Sequence, residues 1–197
     1  MKYPLNLSFK LITFIKQIYV TDSDGKSVLY IKQKFLKLKE HVELFTDDTK
    51  EKKLCDIKTN NIIDLAALYE FTDDQNNNFG AIRRKGLKSF LRASFEIYPN
   101  SADTTPEFKI SEKSVFTRIL DSLFGQIPII GFLTGYVANP SYLVTDNSGK
   151  TVMELIKQPA LWEGKFTIES RSELSAQQQT RILVGLIMMV LLEGKRG

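Results

Sequence analysis

Apolar and polar positions along this 197-residue chain follow two regimes. Up to about residue 170 they form short alternating or apolar runs broken by Asp, Asn and Gly. Such runs, bounded by turn residues, read as strands. The candidates are Phe9–Thr13, Gln17–Thr21, Ser27–Gln33, His41–Phe45, Lys53–Lys58, Leu68–Thr72, Phe79–Arg84, Arg92–Tyr98, Phe108–Ser111, Tyr142–Thr145, Thr151–Ile156 and Lys165–Ser170. About a dozen short strands at regular spacing indicate an antiparallel barrel or sandwich, not an α/β sheet.

The second regime is the end of the chain. Ile182 to Leu192 is eleven residues without a charge, and it has no polar face. As a helix this run is about 17 Å long, far short of the ~30 Å hydrocarbon core of a bilayer. A helix that is apolar all round must be enclosed, so the pattern predicts a core helix wrapped by the preceding strands, with no transmembrane span. Ser175 and Gln178 fit a capping box at its start. Gly194, Lys195 and Arg196 suit its end. The predicted helix runs from Ala176 to Glu193 within a single domain covering 1–197.

Tandem similarity supports the strand reading. Tyr19–Gln33 (YVTDSDGKSVLYIKQ) and Tyr142–Gln158 (YLVTDNSGKTVMELIKQ) share Thr-Asp, Gly-Lys and Ile-Lys-Gln in the same order, and Glu43–Lys50 and Glu70–Asn77 repeat the opening. Asp and Asn bond the backbone two residues on, and Gly supplies positive φ. Hairpin turns are therefore expected at Asp22–Lys26, Asp47–Lys52, Asp73–Asn78 and Asp146–Lys150. Ser122–Thr145 breaks the pattern: it is uncharged over 24 residues, but its Pro and Gly residues interrupt any membrane helix. Ser114–Phe124 reads as a short amphipathic helix, and Ile127–Val137 as an apolar loop packed on the barrel or dipping into a bilayer.

Candidate chemistry is sparse. One cysteine, Cys55, excludes an internal disulfide framework and fits a reducing compartment. Cys55 and the single histidine, His41, are each alone in type, so neither a metal site nor a catalytic dyad is indicated. Asp22-Ser23-Asp24-Gly25 resembles the opening of a calcium loop, but its twelfth position is Gln33 where a bidentate Glu is required. It reads as a plain turn. No phosphate-cradling loop, dinucleotide fingerprint or nucleophile elbow is present. The chain reads as a non-enzyme without cofactor or metal.

The mild net charge of +4 permits an anionic partner without demanding one. Its densest cluster is Arg83, Arg84, Lys85, Lys88 and Arg92 around Phe90 and Leu91, and a second group interleaves Lys32, Lys34, Lys37 and Lys39 with Phe35, Leu36 and Leu38. In a strand Arg83 and Lys85 share a face. Two readings stay open: a solvated outer wall with lysines guarding against aggregation, or cations beside apolar side chains facing an anionic membrane. Nucleic acid is not expected, because no stacking platform accompanies the charges.

The repeated x-D-x-x-G-K turn, the stretch from Asn139 through Trp162-x-Gly164-x-Phe166 to Glu169, and the ending Leu183–Gly197 together resemble a known superfamily. It joins the phospholipid scramblases, the LURP-one-related proteins and the tubby carboxyl-terminal domain, and the ending is similar to that of its bacterial scramblase-like members. The likeness spans about Phe14 to Gly197. It implies a mainly β fold: a twelve-stranded closed antiparallel barrel threaded by its hydrophobic C-terminal helix. For function it implies lipid binding, and taken together with the basic cluster this makes Arg83, Arg84, Lys85, Lys88 and Arg92 the candidate headgroup-binding residues, with anionic phospholipid or phosphoinositide as partner. The location implied is cytoplasmic, peripheral at the inner membrane face. Lipid scrambling, or a soluble regulatory or small-apolar-ligand module, is the alternative. Glu169–Leu174 holds only two acids where animal scramblases carry an acidic calcium segment, and no cysteine-rich palmitoylation tract is present.

Overall fold

A computed structural model describes residues 1–12, 15–34, 41–59, 67–85, 94–113, 141–159 and 164–193. Twelve strands form a closed barrel in which each pairs antiparallel with its sequence neighbours and β1 pairs with β12. They are β1 (Leu5–Ile12), β2 (Ile15–Thr21), β3 (Ser27–Lys34), β4 (His41–Phe45), β5 (Lys53–Lys58), β6 (Leu68–Thr72), β7 (Asn78–Arg84), β8 (Ser94–Tyr98), β9 (Phe108–Glu112), β10 (Ser141–Asp146), β11 (Thr151–Gln158) and β12 (Gly164–Ser170). Among the described residues one helix, α1 (Ala176–Glu193), follows and runs back through the lumen. Closure leaves no sheet edge unpaired.

The wall alternates as the pleat requires. Leu5 and Leu7, Ile18 and Val20, Leu29 and Ile31, Phe71, Ile97, Ile110, Leu155 and Ile168 all lie in the core against α1. Each such side chain contributes about 1.5–3 kcal/mol by leaving water. Arg181 to Leu191 is buried without a break, so the helix is enclosed on every side. Its start is capped as expected: the Gln178 amide donates to Ser175 Oγ at 3.2 Å, and the Ser175 amide donates to Gln178 Oε1 at 3.0 Å.

The main boundary difference is at β1, which starts at Leu5, four residues before the expected Phe9. Leu5 pairs with Ile168 and Leu7 with Phe166, so barrel closure extends a strand that its local sequence marks weakly. Gly194, Phe35–Lys39, the expected Ser114–Phe124 helix and the Ile127–Val137 loop lie outside the described residues.

All four expected turns form, and they are built alike. In each, the leading Asp carbonyl accepts from the amide three residues on: Gly25 at 2.9 Å, Lys50 at 3.3 Å, Asn76 at 3.1 Å and Gly149 at 3.0 Å. The side chains of Asp22, Asp47, Asp73 and Asp146 each accept a backbone amide two residues on. The register of each hairpin shifts just before the Asp, between the second and first residues ahead of it in three hairpins and one residue earlier, between Leu44 and Phe45, in the β4–β5 hairpin. Asp22 Oδ1 is committed to the amides of Asp24 and Lys26, as the plain-turn reading requires.

The four residues at the third position after Asp all have positive φ: Gly25 (79°), Lys50 (61°), Asn76 (61°) and Gly149 (84°). A lysine there costs about 1–2 kcal/mol relative to glycine. Lys50 Nζ lies 5.2 Å from the Phe45 ring centroid, a contact worth about 0.5 kcal/mol at an exposed site. Lys50→Gly is therefore expected to raise stability by about 0.5–1 kcal/mol, read as a higher urea midpoint at unchanged slope. No gain would contradict the equivalence of the turns.

Candidate functional site

The candidate site grows from the outer face of three neighbouring strands. Inward on β7 lie Gly80 and Ile82, against α1. Alternation then sends Arg83 outward, and Lys85, whose amide donates to the Ser94 carbonyl at 2.9 Å, continues the same face. Register places Arg83 opposite Glu96 on β8, and Glu96 opposite Lys109 on β9. A carboxylate is thus flanked across three strands by a guanidinium and an ammonium.

Glu96 is the centre of this group. Lys85 Nζ donates to its Oε1 at 2.7 Å, and the Tyr98 hydroxyl donates to its Oε2 at 2.9 Å. The Glu96 side chain is only 8% exposed. Burial works to raise its carboxyl, but the bonds from Lys85 and Tyr98 and the charges of Lys85 and Lys109 outweigh it and hold the group below the usual range. The Arg83 guanidinium lies 5.5 Å from the Tyr98 ring centroid. Arg83, Lys85 and Lys109 are exposed. Lys85 bonds the buried carboxylate, Lys109 acts on it through its charge, and Arg83 lies over Tyr98 beside them, so the group of four charges is net positive toward solvent.

The structure separates the expected basic residues. Arg83 and Lys85 are on this wall together, whereas Arg84 points inward at the rim and pairs with Glu193 at the end of α1, 3.5 Å away. Lys88 and Arg92 lie outside the described residues. Sequence reasoning missed Glu96, Tyr98 and Lys109. The signal was a lone acid within the apolar strand SFEIY, but its partners are set by register across strands, which sequence spacing does not reveal.

The two rims differ in chemistry. The Asp-led turns and the start of α1 occupy one rim. The other rim, where α1 ends, is where the β3–β4, β5–β6, β7–β8 and β9–β10 connections leave. Lys85 is at this second rim, and Asp22, Asp47, Asp73 and Asp146 are at the first. Among the described residues no helix is long and apolar enough to cross a membrane. Cys55 is buried in the core, where desolvation pushes its thiol up to about 12.

No family model matches the chain, and no curated protein matches it. Among solved structures it is similar to the X-ray structure of a protein from Arabidopsis thaliana, with 12% sequence identity and a TM-score of 0.54. The alignment covers 100% of this chain and 94% of that one. The likeness is one of fold.

Proposed function

We propose that this barrel is a non-enzymatic module that docks on anionic membrane surfaces, with the cytoplasmic leaflet as its target. The observation that carries the reading is the group on β7–β9, where Lys85 bonds one buried carboxylate, Arg83 and Lys109 stand across from it on the neighbouring strands, and the net charge is positive. Each basic residue near an anionic surface is worth about 1 kcal/mol. Lys85 sits at the rim opposite the turn acids, while Lys109, across from Thr145, lies nearer to them, so the basic group runs along the wall from one rim toward the other. In sequence, the stretches between β3 and β4 and between β7 and β8 include KFLKLK (34–39) and RKGLKSFLR (84–92), which mix cations with Phe and Leu. Phosphoinositide headgroups, with several phosphates each, are the lipid class with the highest charge to offer such a group. The non-enzymatic part of the reading draws support from Cys55, whose buried thiol supplies no thiolate near neutral pH.

Vesicle flotation tests this. Wild-type protein is expected to float with phosphatidylserine vesicles, more strongly with added phosphoinositide, and to be released by salt. Replacing Arg83 and Lys109 together with Gln should remove about 2 kcal/mol, a roughly 30-fold loss. Absence of wild-type flotation at low salt, or unchanged flotation by the double variant, would sink the reading.

A further inference from the structure

A separate part of the outer wall, on strands β4 and β5, carries a cluster that membrane docking does not use. On the β4–β5 pair, His41 stands across from Lys58 and Glu43 across from Asp56. Val42, Leu44, Cys55 and Ile57 from the same strands lie in the core. His41, Glu43 and Asp56 therefore share the outer face. His41 Nε2 is 2.6 Å from Asp56 Oδ1, and one ligand atom from each of the three residues lies within 4.8 Å of the others.

We propose that His41, Glu43 and Asp56 form a binding site for a divalent transition-metal ion of the zinc class. One imidazole nitrogen and two carboxylate oxygens are a ligand set that zinc accepts, with a remaining position for water. Magnesium and calcium favour all-oxygen shells and fit it poorly. Asp56 is the fixed ligand, since its side chain is only 4% exposed. Lys53 Nζ donates to Asp56 Oδ2 at 2.9 Å, and Lys58 Nζ lies 3.9 Å from the same oxygen. Oδ2 is thus held from outside while Oδ1 faces the imidazole, the arrangement by which outer hydrogen bonds orient a ligating carboxylate.

The other two ligands can adjust. The His41 side chain is 44% exposed and Glu43 is exposed. Ligand bonds of about 2.0–2.2 Å in tetrahedral geometry separate two ligand atoms by about 3.4 Å. The imidazole therefore needs to swing outward by less than about 1 Å to admit an ion. Lys53 and Lys58 oppose the ion's charge, so the site should bind less tightly than a closed four-ligand one. Removing Lys58, the more distant and more exposed of the two, should strengthen binding about fivefold.

Calorimetric titration of the untagged full chain with zinc chloride tests the site, and it is independent of membrane docking. One zinc per chain is expected, with binding weakened more than about tenfold in both His41→Ala and Glu43→Gln and strengthened in Lys58→Ala. Magnesium chloride should give no binding heat. His41 and Glu43 lie on the solvent side, and a thermal melt checks that each variant keeps its fold. No zinc binding by the wild type, or wild-type affinity in His41→Ala, overturns the proposal.

Discussion

Arg181→Met is expected to cost about 3 kcal/mol of folding stability. Arg181 is the one charge within the enclosed part of α1, and its side chain is 6% exposed. Its Nε donates to the Phe79 carbonyl at 2.7 Å, and its Nη1 pairs with Glu107 Oε2. Gln178 Nε2 also donates to Glu107, at 2.8 Å, so one acid ties down two positions three residues apart at the start of the helix. The guanidinium stem lies against Gly80, where a Cβ would stand 2.9 Å from Arg181 Cγ. Methionine fills much of the same volume but leaves the Phe79 carbonyl unbonded and Glu107 without its counter-ion. Breaking a buried pair from one side costs about 3–5 kcal/mol. Glu107 is 24% exposed, so the lower end applies. Urea unfolding measures the loss, and Arg181→Met combined with Glu107→Gln should recover part of it. A loss below about 1 kcal/mol, or strict additivity of the two changes, would show that the pair does not anchor the helix.

Gly185→Leu should cost a similar amount, about 3 kcal/mol, by a different mechanism. A glycine inside a helix costs about 1 kcal/mol relative to alanine, and here it permits close approach to the wall. A Cβ at Gly185 would stand 2.7 Å from Ile97 Cδ1, 3.2 Å from Ile97 Cγ1 and 3.7 Å from Ile82 Cδ1. Ile82 and Ile97 are themselves fully buried, so neither can yield without displacing its neighbours. Overpacking of this kind costs about 1–3 kcal/mol, and a leucine adds far more than a Cβ. Ile97→Ala alone should cost about 2–5 kcal/mol by leaving a cavity. The double variant should be more stable than the sum of the two losses predicts, because the new side chain fills the space that Ile97 vacates. Additive losses would mean that α1 does not rest on β8 through this glycine.

Both predictions concern how the helix seats in the barrel, and the sequence spoke to that only in part. Composition and order were enough for the strands, the four Asp-led turns and α1, because each depends on residues close together in the chain. Ser175 and Gln178 are three apart and cap a helix wherever it lies. Each leading Asp reaches its own turn amides without help from the rest of the fold. The eleven-residue apolar run could be satisfied only by enclosure, and the barrel encloses it.

What joins distant residues was decided by tertiary structure alone. Arg83 meets Glu96 and Lys109 because strand register puts them on one level of the wall, and a slip of one residue would turn every side chain to the other face. The same alternation sends Arg84 inward to Glu193, which divides a basic run that is continuous in sequence. His41 was alone in type along the chain, but β4–β5 pairing brings Glu43 and Asp56 to it. Local rules write the elements of this protein; closure of the barrel chooses which charges meet, since that choice depends on register and on which face each residue takes.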